Sequence, residues 1–528
     1  MTIHSEWTRI FHEECPEAFM EVFDHKLFND VKIGLIDGHL QLMCLNEYMG
    51  TWENFIKIMY LLPITKLYQM GCQKVVLCFD SYDNVPVYKH MTQLKRSSGK
   101  IVQTFDSSQC LPPRIPENCM RFLMNRNFKL KVLQMVCERI PQLIEIEQHQ
   151  EFILDYKRVV LYKPLIQNTP GKITSALFPS KYSLHPCPIT LPEFEPMGES
   201  DVKFVRYVDK FGSALVHAID GDYMIIALLY YAQKGVFSKN KIFLYRQKQS
   251  WGSTSGDTLS DAVKESCFND KESSSNLKKR KNDDALLHSI DQTKTKIKRG
   301  VKPLFAKNHN TLTSTKKCWV DMQLIYLSLL QVYRQSIRTD SIDLSFLNMD
   351  HREHIETEIE NFNPELHQDS QHMKSLIFLI LSAGTDFSRQ LPLLGPRRLW
   401  ENLPCIAHYL LFAMKDGQDQ MILDVVWGKI YKIIFSKHVS PHSFKYQFMY
   451  SDLLHSTLSK STKEKFPSEK QLLVTSKNIK WVMEYWQTIN GKVETPLNGE
   501  NGYCKHEVTG KIVFDDVASL EHELSRVT

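Results

Sequence analysis

The sequence predicts an α/β fold in which a mostly parallel sheet lies between helices. Short runs rich in β-branched residues alternate with segments of helical periodicity, and this alternation is typical of parallel sheets. The chain has 528 residues, which is long enough for two to four domains or for one large domain with insertions. It can therefore bury a substantial core without support from disulfide bonds.

Five runs in the first half of the chain are predicted strands. They are VKIGLID (31–37), KVVLCFD (74–80), RVVLY (158–162), SALVHAID (213–220) and KIFLYR (241–246). Three of the runs end in an aspartate, and in open α/β sheets the carboxyl ends of the strands face the ligand crevice. Asp37, Asp80 and Asp220 are therefore expected at the edge of the sheet where chemistry usually takes place.

The segment from about 249 to 316 is rich in Ser, Asn, Asp, Lys and Thr and has no sustained period, which predicts a disordered insertion. Its basic clusters, Lys278 to Lys281 and Lys296 to Arg299, fit a nuclear import signal or a phosphate-attracting tether as well as a solvated linker. Beyond it, 319–335 and 375–384 are predicted buried helices, and 400–490 is rich in helical patterns. The stretch GYCKHEVTGKIVFDD predicts a short strand pair.

Composition narrows the classes of function only slightly. A net charge of +5, from 65 basic and 60 acidic residues, is too small to indicate nucleic-acid binding by itself. The 12 cysteines show no CxxC or zinc-binding spacing, which favours a reducing compartment. The N-terminus does not resemble a secretory signal, and no run approaches the ~18 apolar residues of a membrane span. We therefore expect an intracellular protein that does not enter a membrane.

Carboxylates form an ordered series along the chain. The candidate metal ligands are Asp37, Asp80, Glu199, Asp201, Asp220, Asp222 and Asp386. Mg²⁺ prefers oxygen ligands, and two ions roughly 3.5–4 Å apart can activate a water and neutralise the charge of a phosphodiester. If these carboxylates converge, they indicate a Mg²⁺ site suited to phosphodiester hydrolysis, although each acid alone is more often a helix N-cap.

The motifs around these acids are more specific together than any one of them alone. They are MTIHSEWTRIFHEECPEAF at the start, FNDVKIGLIDG, FDSYDNVPVYKHMTQLKR, GESD, IDGD and SAGTDFSRQLPLLGPRR. In this order, and with 19 residues from Asp201 to Asp220, they resemble the flap endonuclease/XPG family of structure-specific nucleases. The resemblance covers about 1–96, 190–248 and 319–400.

This resemblance implies a PIN-like fold with a helix-two-turn-helix region and helical C-terminal additions. It implies that the seven acids hold two Mg²⁺ ions, for which Mn²⁺ can substitute, and that Lys89 and Arg96 stabilise the scissile phosphate. Gly395, Arg397 and Arg398 would hold duplex DNA, with K⁺ bound at the helix-two-turn-helix. The implied activity is structure-specific endonuclease or 5′-exonuclease cleavage of DNA at flaps or junctions, as in DNA replication, repair and recombination, and the implied location is nuclear.

Several features depart from the family pattern. Position 2 is Thr2 where the family has glycine, and the second acid of GESD is Asp201 where flap endonucleases usually have glutamate. The interval from Asp80 to Glu199 is long, and the interval from Asp222 to Asp386 contains the predicted insertion. No clamp-binding motif is evident at the C-terminus. A divergent member is therefore expected, with a substrate preference that no relative defines.

The predicted organisation combines these observations. It comprises an N-terminal nuclease segment (1–100), an arch-like or inserted region (101–190), an internal nuclease segment (191–248), the disordered basic insertion (249–316), the end of the nuclease core with the helix-two-turn-helix (317–400) and a helical C-terminal region (401–528). In the second region, Phe122 and Phe128 lie among basic residues and could stack on a base or pack in the core. The alternative functions are a related RNase and a nucleic-acid-binding scaffold of the same fold without catalytic turnover.

Overall fold

The structure is a computed structural model of the chain. It describes residues 5–20, 28, 30–45, 47–80, 104–106, 108–147, 149–156, 158–164, 184–187, 200–218, 220–235, 238–251, 312–339, 369–385, 391, 393–414, 426–435, 438–439, 446–463, 466–487, 503–505 and 512–514.

Two compact units make up the chain. One comprises Met1–Arg246 together with Trp319–Thr528, and the other is Gln247–Cys318. Every helix that the structure describes lies in the first unit. The second unit has bounds close to those of the predicted insertion, most of which lies outside the described residues.

The described part of the chain contains two sheets. Their strands are β1 (Phe19–Met20), β2 (Ile33–Asp37), β3 (Lys74–Cys78), β4 (Glu151–Tyr156), β5 (Arg158–Pro164), β6 (Leu184–Cys187), β7 (Ala214–His217), β8 (Ile242–Trp251), β9 (Leu312–Asp321), β10 (Tyr503–Lys505) and β11 (Ile512–Phe514). The large sheet has the order β1-β9-β8-β7-β2-β3-β4-β5-β6, and β10 pairs with β11 in the small one.

The centre of the large sheet is parallel. Strands β8, β7, β2, β3 and β4 run in the same direction, with β2 between β7 and β3. Strands β5 and β6 add an antiparallel edge next to β4, and β1 pairs antiparallel with β9 at the other edge. Because parallel strands end at the same edge, the carboxyl ends of β2 and β3 lie side by side.

Helices surround this sheet. They are α1 (Ser5–Glu14), α2 (Gly38–Met43), α3 (Trp52–Ile56), α4 (Leu62–Gln69), α5 (Cys119–Leu123), α6 (Arg126–Leu143), α7 (Ser200–Phe211), α8 (Asp222–Lys234), α9 (Met322–Thr339), α10 (Asp369–Leu381), α11 (Pro396–Glu401), α12 (Leu403–Ala413), α13 (Gly428–Ile434), α14 (Tyr446–His455), α15 (Lys460–Lys463) and α16 (Glu469–Gln487). A π-helical turn, Lys57–Leu61, joins α3 to α4.

Both faces of the sheet are covered. Side chains such as Ile36, Leu77 and Leu154 join an apolar core that includes Ile64 of α4 and Val132 of α6. Since side chains alternate between the faces of a strand, the neighbouring buried residues of β2 and β3 point to the opposite face. There α7 packs on β2 and β3, and α8 packs on α7, α10 and α16. The predicted α/β class with a mostly parallel sheet is therefore confirmed.

Individual elements match the prediction to different degrees. The five predicted strands are present, and the predicted strand pair near the C-terminus is confirmed as β10 and β11. RVVLY lies in β5, which is antiparallel rather than parallel to its neighbours. Strand β4, from the sequence EFILDY, was not predicted although it belongs to the parallel centre.

The helix predicted at 319–335 begins later than expected. Trp319 and Val320 pair with β1 as part of β9, and the helix starts at Met322. Asp321 sets this boundary because its Oδ1 accepts hydrogen bonds from the N–H groups of Gln323 and Leu324 at 2.9 and 3.2 Å, as an N-cap does.

Within the described residues, no helix is both long enough and apolar enough to cross a membrane. Free thiols are present at Cys15, Cys44, Cys72, Cys78, Cys110, Cys119, Cys137, Cys318 and Cys405.

Candidate active site

Asp37 is the last residue of β2 and also the N-cap of α2. Its side chain accepts a hydrogen bond from the Leu40 N–H at 2.9 Å. The residue is only 8% exposed, so its carboxyl group lies largely out of contact with solvent. Asp37 is therefore a helix N-cap, and because a carboxylate has two oxygens, this contact is compatible with the predicted metal-ligand role.

Asp80 lies just beyond the end of β3, the strand next to β2. Its Oδ1 accepts a hydrogen bond at 3.0 Å from the N–H of Ser200, the first residue of α7, and Asp201 follows on the same helix. Both aspartates are buried. His39 Nδ1 lies 3.8 Å from Asp80 Oδ2, a distance that makes it an ion-pair partner when protonated.

The charges of these aspartates act on one another. Burial raises the pKa of Asp37 to about 7, and the negative charges of Asp80 and, to a smaller extent, Asp201 add to the increase. The hydrogen bond from Leu40 opposes it, because it favours the ionised form. Asp37, Asp80 and Asp201, which come from three different elements, therefore lie close enough together to repel one another. We call these three residues the acidic centre.

The start of α8 lies beside the acidic centre. Its first residue, Asp222, is buried, and the Asp222 N–H donates to Asp220 Oδ1 at 3.2 Å. The next residue, Tyr223, is buried, and its hydroxyl oxygen lies 3.4 Å from Ser200 Oγ. After burial, the charges of Asp37 and Asp201 are the largest causes of the raised pKa of Tyr223. Helix α8 thus contacts the same carboxylates with its first turn.

The acidic centre has the donor chemistry that Mg²⁺ requires, namely carboxylate oxygens without thiolates. Buried like charges are costly without a counter-ion, and a divalent cation would remove that cost. Within the described residues, however, no three His, Cys, Asp or Glu side chains are arranged closely enough to hold a metal ion as they stand. A complete ligand set would require a rearrangement or additional ligands.

Four other predicted site residues lie outside the described residues. They are Glu199 and Asp386 among the metal ligands, and the basic residues Lys89 and Arg96. Their expected roles stay predictions. Of the seven predicted metal ligands, the structure brings Asp37, Asp80 and Asp201 together and places Asp220 and Asp222 at the start of the adjacent helix α8.

The predicted DNA-binding residues lie around the start of α11. Gly395 is its N-cap residue, and Arg397 and Arg398 are in its first turn. Arg397 forms an ion pair with Glu13 of α1, with an N–O distance of 2.8 Å between exposed side chains. Arg398 is exposed and donates to the carbonyl oxygen of Leu393 at 3.1 Å. Both guanidinium groups therefore remain accessible to solvent.

Two interpretations of aromatic residues are resolved. Phe128 is fully buried in the apolar core, and Phe122 packs against that core with its ring 5.1 Å from the ring of Phe128. The core-packing alternative is therefore confirmed for Phe128, whereas Phe122 is only partly buried against the core.

The structure adds polar residues that the sequence did not single out. Asp155 of β4 accepts hydrogen bonds from Lys203 and Tyr207 of α7, and Lys203 also donates to the carbonyl oxygen of Phe79. The spacing of Lys203 and Tyr207 places them on one helix face, but it does not predict that this face is buried against Asp155.

Tyr485 in α16 is buried, and after burial the charges of Asp201 and Asp80 are the largest causes of its raised pKa.

Comparison of the sequence with protein-family models and with curated proteins gives no match in either case.

Proposed function

We propose that the protein is a Mg²⁺-dependent nuclease that cleaves DNA at flaps or junctions. One observation carries the proposal: Asp37 and Asp80, at the carboxyl ends of adjacent parallel strands, come together with Asp201 of α7, and burial raises the pKa of Asp37. This is the edge of an open α/β sheet at which ligands bind. Clustered buried carboxylates have no benefit for stability without a cation, so their convergence favours a metal site.

In this proposal the acidic centre holds the cations together with Glu199, Asp220, Asp222 and Asp386. Bound Mg²⁺ would supply charge neutralisation for the phosphodiester and a water of lowered pKa. Asp37, Asp80 and Asp201 would orient the ions, because each is fixed to a separate, well-packed element. Lys89 and Arg96 would stabilise negative charge on the scissile phosphate.

Duplex binding is assigned to the segment around α11. Arg397 and Arg398 are solvent-accessible cations in its first turn, and Gly395 precedes them without a side chain that would keep a phosphate at a distance. K⁺ at a helix-two-turn-helix, a PIN-like fold and a nuclear location belong to the same proposal and follow from the sequence resemblance. Mn²⁺ is expected to substitute for Mg²⁺, since both accept carboxylate ligands.

Cleavage of end-labelled DNA tests the proposal. The substrates are a 5′ flap, a nicked duplex, a four-way junction and a single strand, each with Mg²⁺, with Mn²⁺ or with EDTA. Asp80→Asn removes a charge from the acidic centre and keeps an oxygen that can accept the Ser200 hydrogen bond. Asp209→Asn is the matched control, because Asp209 lies on α7 with Asp201 but is exposed and paired with Lys234.

Metal-dependent cleavage by the wild type and by Asp209→Asn, with a loss of about 10²-fold or more in Asp80→Asn, is the expected result. Binding of these substrates without cleavage would contradict a nuclease and indicate the scaffold function instead. Preferential cleavage of the corresponding RNA substrates would show that the protein is an RNase rather than a DNA nuclease.

A further inference from the structure

A buried ion pair lies directly behind Asp80. Lys203 Nζ donates to Asp155 Oδ1 at 3.0 Å and to the carbonyl oxygen of Phe79 at 2.7 Å. The two charged side chains are 3% and 4% exposed. Charges removed from water to this extent are tolerated only when they are paired and hydrogen-bonded, so this contact is a fixed feature of the fold.

Asp155 extends the contact into a small network. Its Oδ2 accepts from the Tyr207 hydroxyl at 3.0 Å, and its backbone carbonyl oxygen accepts from the Phe79 N–H at 2.9 Å. Lys203 and Tyr207 are four residues apart on α7 and therefore lie on one face of that helix. Phe79 is thus held through both its N–H and its C=O groups, immediately before Asp80.

The network joins the two elements that supply Asp80 and Asp201. Asp80 follows β3, whereas Asp201 lies on α7, two residues before Lys203. The Ser200 N–H contacts the Asp80 carboxylate at 3.0 Å, and Lys203 contacts the backbone of the preceding residue. The position of Asp201 relative to Asp80 therefore depends on how Lys203 holds α7 against the end of β3.

Stability alone gives a weak reason for such a pair, because apolar residues of similar volume often stabilise a core equally well. We propose that Lys203 and Asp155 are positioning residues that set the separation of the Asp80 and Asp201 carboxylates for cation binding. This inference rests on the proposed function. Groups that orient metal ligands typically change metal affinity when they are replaced, even though they do not touch the ion.

The test measures the affinity of the full-length chain for Mn²⁺ from the electron paramagnetic resonance signal of the free ion. Lys203→Met/Asp155→Asn removes both charges together, so neither is left alone in the core, and asparagine can still accept from Tyr207. Tyr231→Phe is the matched control. The Tyr231 hydroxyl donates to the Asn240 carbonyl oxygen and accepts from the Ile242 N–H, at the opposite edge of the sheet.

The double variant is expected to bind Mn²⁺ at least about tenfold more weakly than the wild type. Tyr231→Phe should bind Mn²⁺ as the wild type does, even though its unfolding temperature is lower. Lys203→Arg keeps the charge and a donor for Phe79, so it should retain more affinity than the double variant. Tyr207→Phe removes only one hydrogen bond to Asp155 and should weaken binding about threefold.

Wild-type affinity in a folded double variant would overturn the inference while leaving the proposed function intact. If the double variant does not fold, wild-type affinity in Tyr207→Phe would overturn it instead. A wild-type chain that does not bind Mn²⁺ would overturn the proposed function and this inference with it.

Discussion

Asp37 is subject to two opposing effects. It caps α2 through Leu40, a contact that favours the ionised carboxylate, but burial and the charges of Asp80 and Asp201 favour the protonated form. Since the second effect is larger, the pKa of Asp37 is raised to about 7. A cation needs the ionised carboxylate, so the proposed metal binding would compete with a proton at this residue near neutral pH.

Replacing Asp37 by asparagine should stabilise the metal-free protein. The folded-state pKa is above the ordinary value of 3.8, so the stability contributed by the protonated form is complete below about pH 4 and is lost as the pH rises to about 7. Asparagine avoids this loss and can still cap α2. We expect the free energy of unfolding to increase at pH 8 by an amount on the order of a few kcal/mol.

Urea unfolding in EDTA, measured at pH 5 and at pH 8, checks this expectation. The gain in Asp37→Asn should be larger at pH 8 than at pH 5, and added Mg²⁺ should stabilise the wild type but not the variant. An equal gain at both pH values, or a loss at pH 8, would contradict the account of Asp37.

Gly38, the first residue of α2, follows Asp37 directly and packs tightly against Phe79. A Cβ atom at Gly38 would lie 2.5 Å from Phe79 Cε1, and Phe79 immediately precedes Asp80. Gly38→Ala should therefore push apart the backbone segments that carry these two aspartates. We expect a loss of about 1–3 kcal/mol in the free energy of unfolding, despite the better helix propensity of alanine.

Two measurements test the Gly38→Ala variant: urea unfolding in EDTA, and Mn²⁺ binding in the folded state. The account predicts lower stability and weaker binding together. A variant that equals the wild type in both would show that the contact between Gly38 and Phe79 is loose.

The acidic residues could be predicted from the sequence, whereas the network behind them could not. Asp37 and Asp80 each follow an apolar strand-like run, and their convergence follows from parallel pairing. Lys203, by contrast, lies on a helix, where a charged residue usually faces solvent. Its partner Asp155 is 48 residues away, so the burial of the pair depends on tertiary packing that no local pattern reveals.

At the level of elements, local sequence patterns predict where a strand forms better than they predict which strands it pairs with. Strand β4 was missed because its apolar run is only three residues long and is flanked by Glu151 and the buried Asp155. Strand β5 was expected in a parallel sheet but runs antiparallel to β4. The boundary between β9 and α9 depends on the Asp321 side chain rather than on apolar periodicity, which continues across it.

Polar contacts join helix α11 to α1. Arg397 pairs with Glu13, and Trp400 Nε1 donates to Glu14 Oε1 at 2.9 Å. An exposed ion pair contributes about 1 kcal/mol or less, so Arg397 can exchange Glu13 for a DNA phosphate at little cost. The proposed duplex binding would therefore need no change in the fold.

Arg397→Ala should weaken duplex binding and lower the salt dependence of the binding constant by about one unit of slope, while changing stability by less than about 1 kcal/mol. Fluorescence anisotropy with labelled duplex at several salt concentrations measures both quantities. Lys57→Ala is the control. Lys57, in the π-helical turn after α3, forms an exposed ion pair with Glu53 of α3 and has no predicted role in DNA binding. Equal salt slopes for the wild type and Arg397→Ala would contradict phosphate contact by Arg397.

At the scale of the whole molecule, the described candidate site lies within one of the two compact units. The acidic centre, the Lys203 network and α11 all belong to Met1–Arg246 and Trp319–Thr528. The composition of 249–316 predicts a disordered insertion, and that prediction stays untested because most of the segment lies outside the described residues. The second unit, Gln247–Cys318, has similar bounds.

Replacing 252–311 by a short Gly/Ser linker should leave the first unit folded. We expect Mn²⁺ affinity to remain within about threefold of the wild type, because the described candidate ligands lie outside the replaced segment. Differential scanning calorimetry and Mn²⁺ titration of the shortened chain provide the check. Loss of the unfolding transition, or of Mn²⁺ binding, would mean that the second unit is required to form the site.

The central claim is that Asp37, Asp80 and Asp201 form a cation site, and anomalous diffraction from crystals soaked in Mn²⁺ tests it most directly. The account predicts one or two anomalous peaks within about 2.5 Å of carboxylate oxygens of these residues, and no such peaks for Asp80→Asn under the same conditions. Crystals that bind Mn²⁺ only elsewhere, or that leave the three carboxylates without a peak at saturating Mn²⁺ above pH 7, would contradict it.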